Sequence, residues 1–338
     1  MPRTVVYTDP AWLVSAGQLH PEGFDLVERP LLPADATLQL GPFTDGRYQP
    51  AGPDLLTAVE GAEVIVIYRA QVTRELLDAA GPNLRAVIRQ GVGTDNLNVE
   101  LLGERGIISY HVPDYCVDEV ATHTTALALA LERGLIIQHQ TLAGGRFDIY
   151  AGGAPRRVSV RTLGIVGFGR IGRAVARKLG VQYGRILAFD PYVGRDLAEG
   201  YGAHAVDSLD ELLAESDLVT LHCPLNDETT GMFGPEQFRR MKSDAYLVNA
   251  ARGKLIQPAA LAQALADDEL AGVGLDVFVP ENPHDDPVWA PVLTDPRVVL
   301  TSHRAFLSED AEQSSRRRVA ELVRDVLAGT PSTIGRLS

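Results

Sequence analysis

RTLGIVGFGRIGRAVARKLG, residues 161–180, is the stretch that decides the fold. An apolar, strand-like run at 163–166 leads directly into Gly167, Gly169 and Gly172, and a helical pattern follows at once. In this GxGxxG spacing the first glycine permits a tight turn, the second lets the backbone approach a pyrophosphate, and the third lets the helix pack on the strand. The stretch therefore predicts a dinucleotide-binding βαβ unit.

Two further features support a bound dinucleotide. Arg170 and Ile171 begin the helix, whose N-terminal N–H groups would face the phosphates. Asp190 ends the next strand-like run, RILAFD, at 185–190. A carboxylate there binds the ribose hydroxyls and repels a 2′-phosphate, so the sequence favours NAD over NADP. A glycine-rich turn without a nucleotide is the alternative, which the strand, helix and acid together disfavour.

Composition indicates a globular chain. The 338 residues are 45% hydrophobic and 22% charged, which is typical of folded proteins, and the length suggests two domains. The net charge of −13 disfavours binding to nucleic acid or to an anionic membrane surface.

The cysteines and the N-terminus bear on location. Cys116 and Cys223 lack a metal-ligand spacing, so we expect free thiols and no metal. The N-terminus lacks the pattern of a signal peptide, and the most apolar segment, 126–137, is too short to cross a bilayer. We expect a cytoplasmic protein.

Strand-like runs alternate with helical patterns along the chain, which predicts parallel sheets built from βαβ units. The first series lies at 4–8, 63–68, 85–90 and 106–111, and the second at 162–167, 185–190, 218–223, 245–250, 272–278 and 298–302. We therefore predict an α/β protein with two Rossmann-like or flavodoxin-like doubly wound domains and a cleft between them. Residues 1–111 with 306–338 would form the substrate domain, and 112–305 the nucleotide domain.

Beyond the fingerprint, several motifs occur in a recognisable order. They are RQGVGTDNLNVELLGERGI (89–107), VPDYCVDEVATHTTA (112–126), LHCPLNDETTGMF (221–233), LVNAARGKLI (247–256), AGVGLDVFVPEN (271–282) and LTSHRAFLSEDA (300–311). Together with the fingerprint they resemble the D-isomer-specific 2-hydroxyacid dehydrogenase family, which includes phosphoglycerate dehydrogenase. Three details look most like the C-terminal-binding-protein branch and its bacterial relatives: DPY after the fingerprint, VPDYC and HxAFxSE. The first 60 residues carry no such match.

The resemblance implies a catalytic set of Arg252, Glu281 and His303. Reduction of a 2-oxo acid needs a proton donor, and histidine changes charge near neutral pH. Glu281 would hydrogen-bond the other ring nitrogen and stabilise the imidazolium. Arg252 would hold the substrate carboxylate and polarise the carbonyl.

The same match implies further cofactor contacts. Thr124 would approach the nicotinamide, unless it is an ordinary helix threonine. The adenosine side would be lined by Cys223 and Pro224, and the nicotinamide would be flanked by Ala250, Ala251 and Asp276. A structural salt bridge or helix contact is the alternative for Asp276.

The match also implies substrate contacts. The backbone N–H groups of Val92 and Gly93 would bind the carboxylate, and Val92 would also lie beside the cofactor. Phe306 would form an apolar wall beside the substrate. Arg304 departs from the small or apolar residue that is usual after the histidine. Arg304 and Arg69 would each bind a second anionic group of the substrate, unless they face solvent.

Some positions remain without a firm role. Arg89 would be structural, and Tyr68 would line the cleft mouth. His111 replaces the asparagine often present in this stretch of the family, and no role for it follows from the sequence.

The resulting prediction is an NAD-dependent enzyme that interconverts a 2-hydroxy acid, the D-isomer by resemblance, and its 2-oxo acid. The segment 112–137 resembles the family's dimer-forming helices, which predicts a homodimer. Two alternatives stay open: an NAD(H)-sensing interaction protein, and a dehydrogenase acting on phosphite or a phosphonate. Formate oxidation is disfavoured, because the resemblance would then place glutamine at Glu281.

Overall fold

A five-stranded parallel sheet forms the centre of the first of two units in the computed structural model, which describes residues 3–338. This unit extends to Tyr115 and also includes Ser308–Ser338. Its elements up to that point are β1 (Arg3–Tyr7), β2 (Val14–Ser15), β3 (Gln18–Leu19), α1 (Phe24–Val27), β4 (Ala36–Leu40), β5 (Phe43–Thr44), β6 (Arg47–Tyr48), α2 (Pro53–Ala58), β7 (Val64–Ile67), α3 (Arg74–Ala80), β8 (Ala86–Arg89), α4 (Val99–Glu104) and β9 (Ile108–His111).

The strand order of this sheet is β4-β1-β7-β8-β9. The chain passes from β1 to β4 on one side and then to β7 on the other, so the order reverses between β1 and β7. Open α/β sheets bind ligands outside the carboxyl ends of the strands at such a point. β2–β3 and β5–β6 are short antiparallel pairs.

The second unit, Cys116–Leu307, contains a seven-stranded parallel sheet of order β12-β11-β10-β13-β14-β15-β16. Its elements are α5 (Val117–Glu132), α6 (Leu135–Ala143), β10 (Thr162–Val166), α7 (Arg170–Lys178), β11 (Arg185–Phe189), α8 (Arg195–Glu199), β12 (His204–Ala205), α9 (Leu209–Glu215), β13 (Leu218–Leu221), α10 (Pro235–Arg240), β14 (Tyr246–Asn249), α11 (Pro258–Ala266), β15 (Gly272–Leu275), α12 (Ala290–Thr294) and β16 (Val298–Leu300). The order reverses between β10 and β13. Every residue of β13 and β15 is buried, as expected for central strands covered on both faces.

The last helix, α13 (Glu309–Ala328), belongs to the first unit. Ser308 caps it by accepting the N–H of Ala311 at 3.0 Å. Its apolar face, including Val319 and Val323, joins the buried cluster on one face of the first sheet. The units therefore divide after Tyr115 and after Leu307, whereas the sequence predicted divisions after 111 and 305.

The α/β fold with two parallel sheets agrees with the prediction. Each strand-like run coincides with a strand; β1 is shifted by one residue, and the other strands are shorter than their runs. β4, within the first 60 residues, was not predicted. Among residues 3–338 no single helix is long and apolar enough to cross a membrane, and α5 and α6 meet such a criterion only as a pair bent by 63°.

Candidate active site

The glycines of the fingerprint form a turn that larger residues would block. Gly167 has φ +89°, and a Cβ on it would lie 2.4 Å from the backbone nitrogen of Cys223. A Cβ on Gly172 would lie 2.1 Å from the carbonyl oxygen of Gly167. Both positions therefore require glycine, the first for the turn and the second for the approach of α7 to the strand.

Gly169 has a different environment. It is the residue before α7, and a Cβ on it would meet no atom within 4 Å. No side chain of the described residues caps this helix, so the N–H groups of Arg170 and Ile171 at its start are not used by a cap. A pyrophosphate fits this cradle on both steric and electrostatic grounds.

Asp190 follows β11 and is fixed by two backbone hydrogen bonds. One carboxylate oxygen accepts the N–H of Phe168 at 2.8 Å, and the other accepts the N–H of Tyr192 at 2.9 Å. The first bond ties the carboxylate to the glycine turn itself. The remaining lone pairs of this half-buried group can accept ribose hydroxyls.

The first residues after β13, His222 and Cys223, lie beside Gly167 and carry no charge. Burial raises the pKa of Cys223 to about 11, so the thiol is protonated at neutral pH. Its sulfur lies 3.7 Å from that of Met232. Burial lowers the pKa of His222 to about 3, so its imidazole is neutral. The hydroxyl of Thr229 donates to the carbonyl of Pro224 at 2.7 Å and fixes the following turn.

His303 and Glu281 form a hydrogen-bonded pair. His303 Nδ1 lies 2.7 Å from Glu281 Oε1. Because the carboxylate accepts, Nδ1 carries the proton and Nε2 is left to accept or donate one. The Phe306 ring stands edge-on to the imidazole at 6.2 Å. Both side chains of the pair are partly exposed, so a small substrate can reach them.

Asp276 holds the loop that carries this histidine. His303 has φ +52°, an uncommon conformation for a residue with a side chain. Its N–H donates to the carbonyl oxygen of Asp276 at 2.7 Å. The Asp276 carboxylate accepts the N–H groups of Arg304 and Ala305 at 3.0 and 2.9 Å, and the hydroxyl of Thr301 at 2.5 Å. These bonds offset the cost of the strained backbone.

That Asp276 flanks the nicotinamide stays a prediction, and the structure adds a second role for the residue. Its side chain is fully buried and both carboxylate oxygens are used within the protein. The residue acts on the loop that carries His303. His123 on α5 extends the network, with Nε2 at 2.9 Å from the Thr301 hydroxyl.

Arg252 lies in the loop after β14, and the Asn249 side chain holds this loop in place. The side-chain amide of Asn249 donates to the carbonyl of Arg252 at 2.9 Å and accepts the N–H of Ala251 at 3.0 Å. The guanidinium donates to the carbonyl of Ala251 at 2.8 Å and is half-buried. Ala250 is buried in the same loop. Arg252, Glu281 and His303 thus follow three adjacent strands, β14, β15 and β16.

Thr124 is fully buried on α5, and its hydroxyl has no hydrogen-bond partner among the described residues. An orphaned buried hydroxyl carries a free-energy cost unless a bound group satisfies it. A bound cofactor beside α5 would remove this cost by forming a hydrogen bond with the hydroxyl.

In the first unit, the candidate anion ligand Arg69 lies in the loop after β7. Arg69 is exposed, and the backbone N–H groups of Tyr68 and Arg69 donate to the buried Asp9 at 3.0 and 2.6 Å. The Arg69 and Arg89 guanidinium groups lie 5.8 and 5.4 Å from the Tyr68 ring centre. The structure thus places two arginines near the Tyr68 ring.

Val92 and Gly93 are half-buried in the loop after β8. His111 Nδ1 lies 2.8 Å from the Val92 carbonyl oxygen, a contact that the sequence did not suggest. Arg304, in the second unit, has an exposed side chain.

Comparison with known families identifies the fold and its nucleotide domain. Residues 125–305 match the family described as D-isomer specific 2-hydroxyacid dehydrogenase, NAD binding domain. The chain belongs to this family. The three-glycine cradle and Asp190 therefore lie in an NAD binding domain.

Individual relatives agree with this membership. D-3-phosphoglycerate dehydrogenase of Methanocaldococcus jannaschii is 36% identical over 285 residues, 82% of this chain and 52% of the relative. Glyoxylate reductase of Korarchaeum cryptofilum is 38% identical over 269 residues, 76% of this chain and 75% of the relative. The structure of D-lactate dehydrogenase of Aquifex aeolicus with NAD and lactic acid has a TM-score of 0.85 at 26% identity, covering 97% of this chain and 96% of that one.

Two limits follow from these relatives. The chain spans about half the length of the phosphoglycerate dehydrogenases that it matches. The comparisons place this member of the family near phosphoglycerate dehydrogenase and give no support to the C-terminal-binding-protein branch.

Proposed function

We propose that this protein is an NAD-dependent dehydrogenase that interconverts a D-2-hydroxy acid and its 2-oxo acid. The observation that carries the proposal is the His303–Glu281 pair at 2.7 Å, on a loop that Asp276 holds in a strained conformation. Strain of this kind persists where the surrounding structure maintains it, and it is concentrated at functional sites. The pair lies in the NAD binding domain.

In the proposed reduction, NADH supplies a hydride to the carbonyl carbon when it is bound. His303 donates the proton of Nε2 to the carbonyl oxygen, which becomes the hydroxyl. Glu281 fixes the tautomer and stabilises the imidazolium before the transfer. Arg252 binds the carboxylate and polarises the carbonyl with its fixed positive charge. The N–H groups of Val92 and Gly93 would also bind the carboxylate.

We propose that the substrate carries a second anionic group. Arg304 and Arg69 both have exposed side chains, and Arg304 directly follows the proposed acid–base residue. Guanidinium groups bind carboxylates and phosphates in a two-pronged geometry, so either residue can select a distal carboxylate, phosphate or phosphonate. Phe306, beside His303, would form the apolar wall of the same site.

We also propose a homodimer. The second unit exposes large apolar side chains on α6 and the loop after it. These are Leu135, Leu142, Phe147, Ile149 and Tyr150, exposed by 55 to 85%. A patch of this kind on a soluble fold commonly marks a protein–protein interface.

The activity is tested by following NADH oxidation at 340 nm with a panel of 2-oxo acids. The panel contains glyoxylate, pyruvate and phenylpyruvate, and the doubly anionic 2-oxoglutarate and phosphonopyruvate. We expect turnover, a preference for the doubly anionic acids, and much weaker use of NADPH because Asp190 repels its 2′-phosphate. NADH binding without turnover of any acid would contradict the proposal and favour the NAD(H)-sensing alternative.

A further inference from the structure

The loop at Val92 and Gly93 has two features of a built anion site. The N–H groups of Val92 and Gly93 take part in no backbone hydrogen bond among residues 3–338. The carbonyl groups of the same two peptides, by contrast, are both used. The Gly91 carbonyl accepts the N–H of Val112 at 3.1 Å, and the Val92 carbonyl accepts from His111 Nδ1 at 2.8 Å.

The geometry of the peptide bond links the direction of each carbonyl group to the direction of the N–H group that follows it. In a trans peptide the C=O and the following N–H lie in one plane and point in opposite directions. The Gly91 carbonyl shares its plane with the Val92 N–H, and the Val92 carbonyl shares its plane with the Gly93 N–H. Fixing each carbonyl therefore fixes the direction of the N–H on the far side. Hydrogen bonds from the consecutive residues His111 and Val112 fix both carbonyl groups, and therefore both N–H groups.

We propose that His111 is a positioning residue that orients and polarises the Gly93 N–H toward the substrate carboxylate. This inference rests on the proposed function, in which that N–H binds the carboxylate. Because the Val92 carbonyl can only accept, Nδ1 of His111 carries the proton. Hydrogen bonds in a chain polarise one another, so the donated bond also strengthens the Gly93 N–H as a donor.

The anchoring of His111 itself supports this role. Its backbone N–H donates to the carbonyl of Gly335 at 2.9 Å, and Gly335 has φ +70°. A Cβ on Gly335 would lie 2.2 Å from the His111 carbonyl oxygen, so glycine is required for this approach. The hydroxyl of Tyr110 also donates to the carbonyl of Ser332 at 2.9 Å. The segment 332–338 thus holds the end of β9, which carries His111.

Two substitutions test the proposal. His111→Leu removes the donor, and we expect KM for the preferred 2-oxo acid to rise about ten-fold while Kd for NADH is unchanged. His111→Asn places an amide nitrogen near the position of Nδ1, so KM should stay within about two-fold of the wild type. The exposed His204, on β12, provides the control His204→Leu, which should change neither constant. An unchanged KM in His111→Leu, or equal losses in the leucine and asparagine variants, would overturn the proposal.

A second measurement separates this proposal from the proposed function. The ¹⁵N spectrum of histidine-labelled wild-type protein reports which ring nitrogen carries the proton, and His111→Asn assigns the signal. We expect the Nδ1–H form of neutral His111. The Nε2–H form would overturn the inference even in an active enzyme. A wild type that reduces no 2-oxo acid but shows Nδ1–H would contradict the proposed function and leave the hydrogen bond to Val92 established.

Discussion

Replacing His303 with alanine is expected to lower kcat/KM for 2-oxo acid reduction by about 10³-fold, within the range for loss of a general acid. His303 is the proton donor of the His303–Glu281 pair. Alanine has no group that can donate a proton to the new hydroxyl. Kd for NADH should stay within about two-fold, because the glycine cradle and Asp190 are unchanged. Stopped-flow or steady-state absorbance at 340 nm measures the first quantity, and NADH fluorescence titration measures the second.

Two further variants are compared with His303→Ala. His204→Ala removes an exposed histidine of the same domain and should retain full activity. Glu281→Gln keeps an acceptor for Nδ1 but loses the charge that stabilises the imidazolium, so a smaller loss, about ten- to hundred-fold, is expected. Activity in His303→Ala within ten-fold of the wild type would show that another group supplies the proton.

The largest expected effect on stability comes from a buried ion pair of the first unit. Arg316, on α13, donates from Nε and Nη2 to the two carboxylate oxygens of Glu28 at 2.8 and 2.7 Å. The side chains are 7 and 0% exposed. Arg316→Met leaves the Glu28 carboxylate buried without its partner. We expect the free energy of unfolding of this unit to fall by about 3–5 kcal/mol.

The same helix offers a matched control. Arg324 pairs with its neighbour Asp325 at 2.8 Å, and the arginine side chain is 47% exposed. Arg324→Met should therefore cost less than about 1 kcal/mol. The chain has two tryptophans, so in a Trp289→Phe background the fluorescence of Trp12 reports urea unfolding of the first unit alone. If Arg316→Met and Arg324→Met lowered the free energy of unfolding equally, the expected effect of burial on the Arg316–Glu28 pair would be contradicted.

The nucleotide domain was readable from sequence because its signals are local. Three signals lie within 30 consecutive residues: the glycines, the strand before them and the acid at 190. The turn requires glycines for its backbone, and binding of the ribose hydroxyls requires the charge of the acid. Parallel central strands are apolar on both faces and so stand out as short runs. Arg252, Glu281 and His303 could be singled out only through the family motifs around them.

What the sequence did not show depends on contacts between distant segments. Nothing near Asp276 in the sequence indicates that the N–H groups of Arg304 and Ala305 donate to its carboxylate. A role for His111 becomes visible only in the structure, where β9 lies beside β8 and the His111 ring contacts the Val92 carbonyl. β4 was missed because it alternates buried and exposed residues at the sheet edge and lacks the continuous apolar run of a central strand.

We propose that a hydride passes between NAD and C2 of a 2-hydroxy or 2-oxo acid on this protein. The most direct measurement is reduction of the preferred 2-oxo acid with NADH deuterated at both C4 positions, followed by NMR and mass analysis of the product. We expect a 2-hydroxy acid with one deuterium, located at C2. A product without deuterium, or no product from any of the acids while NADH binds, would contradict it.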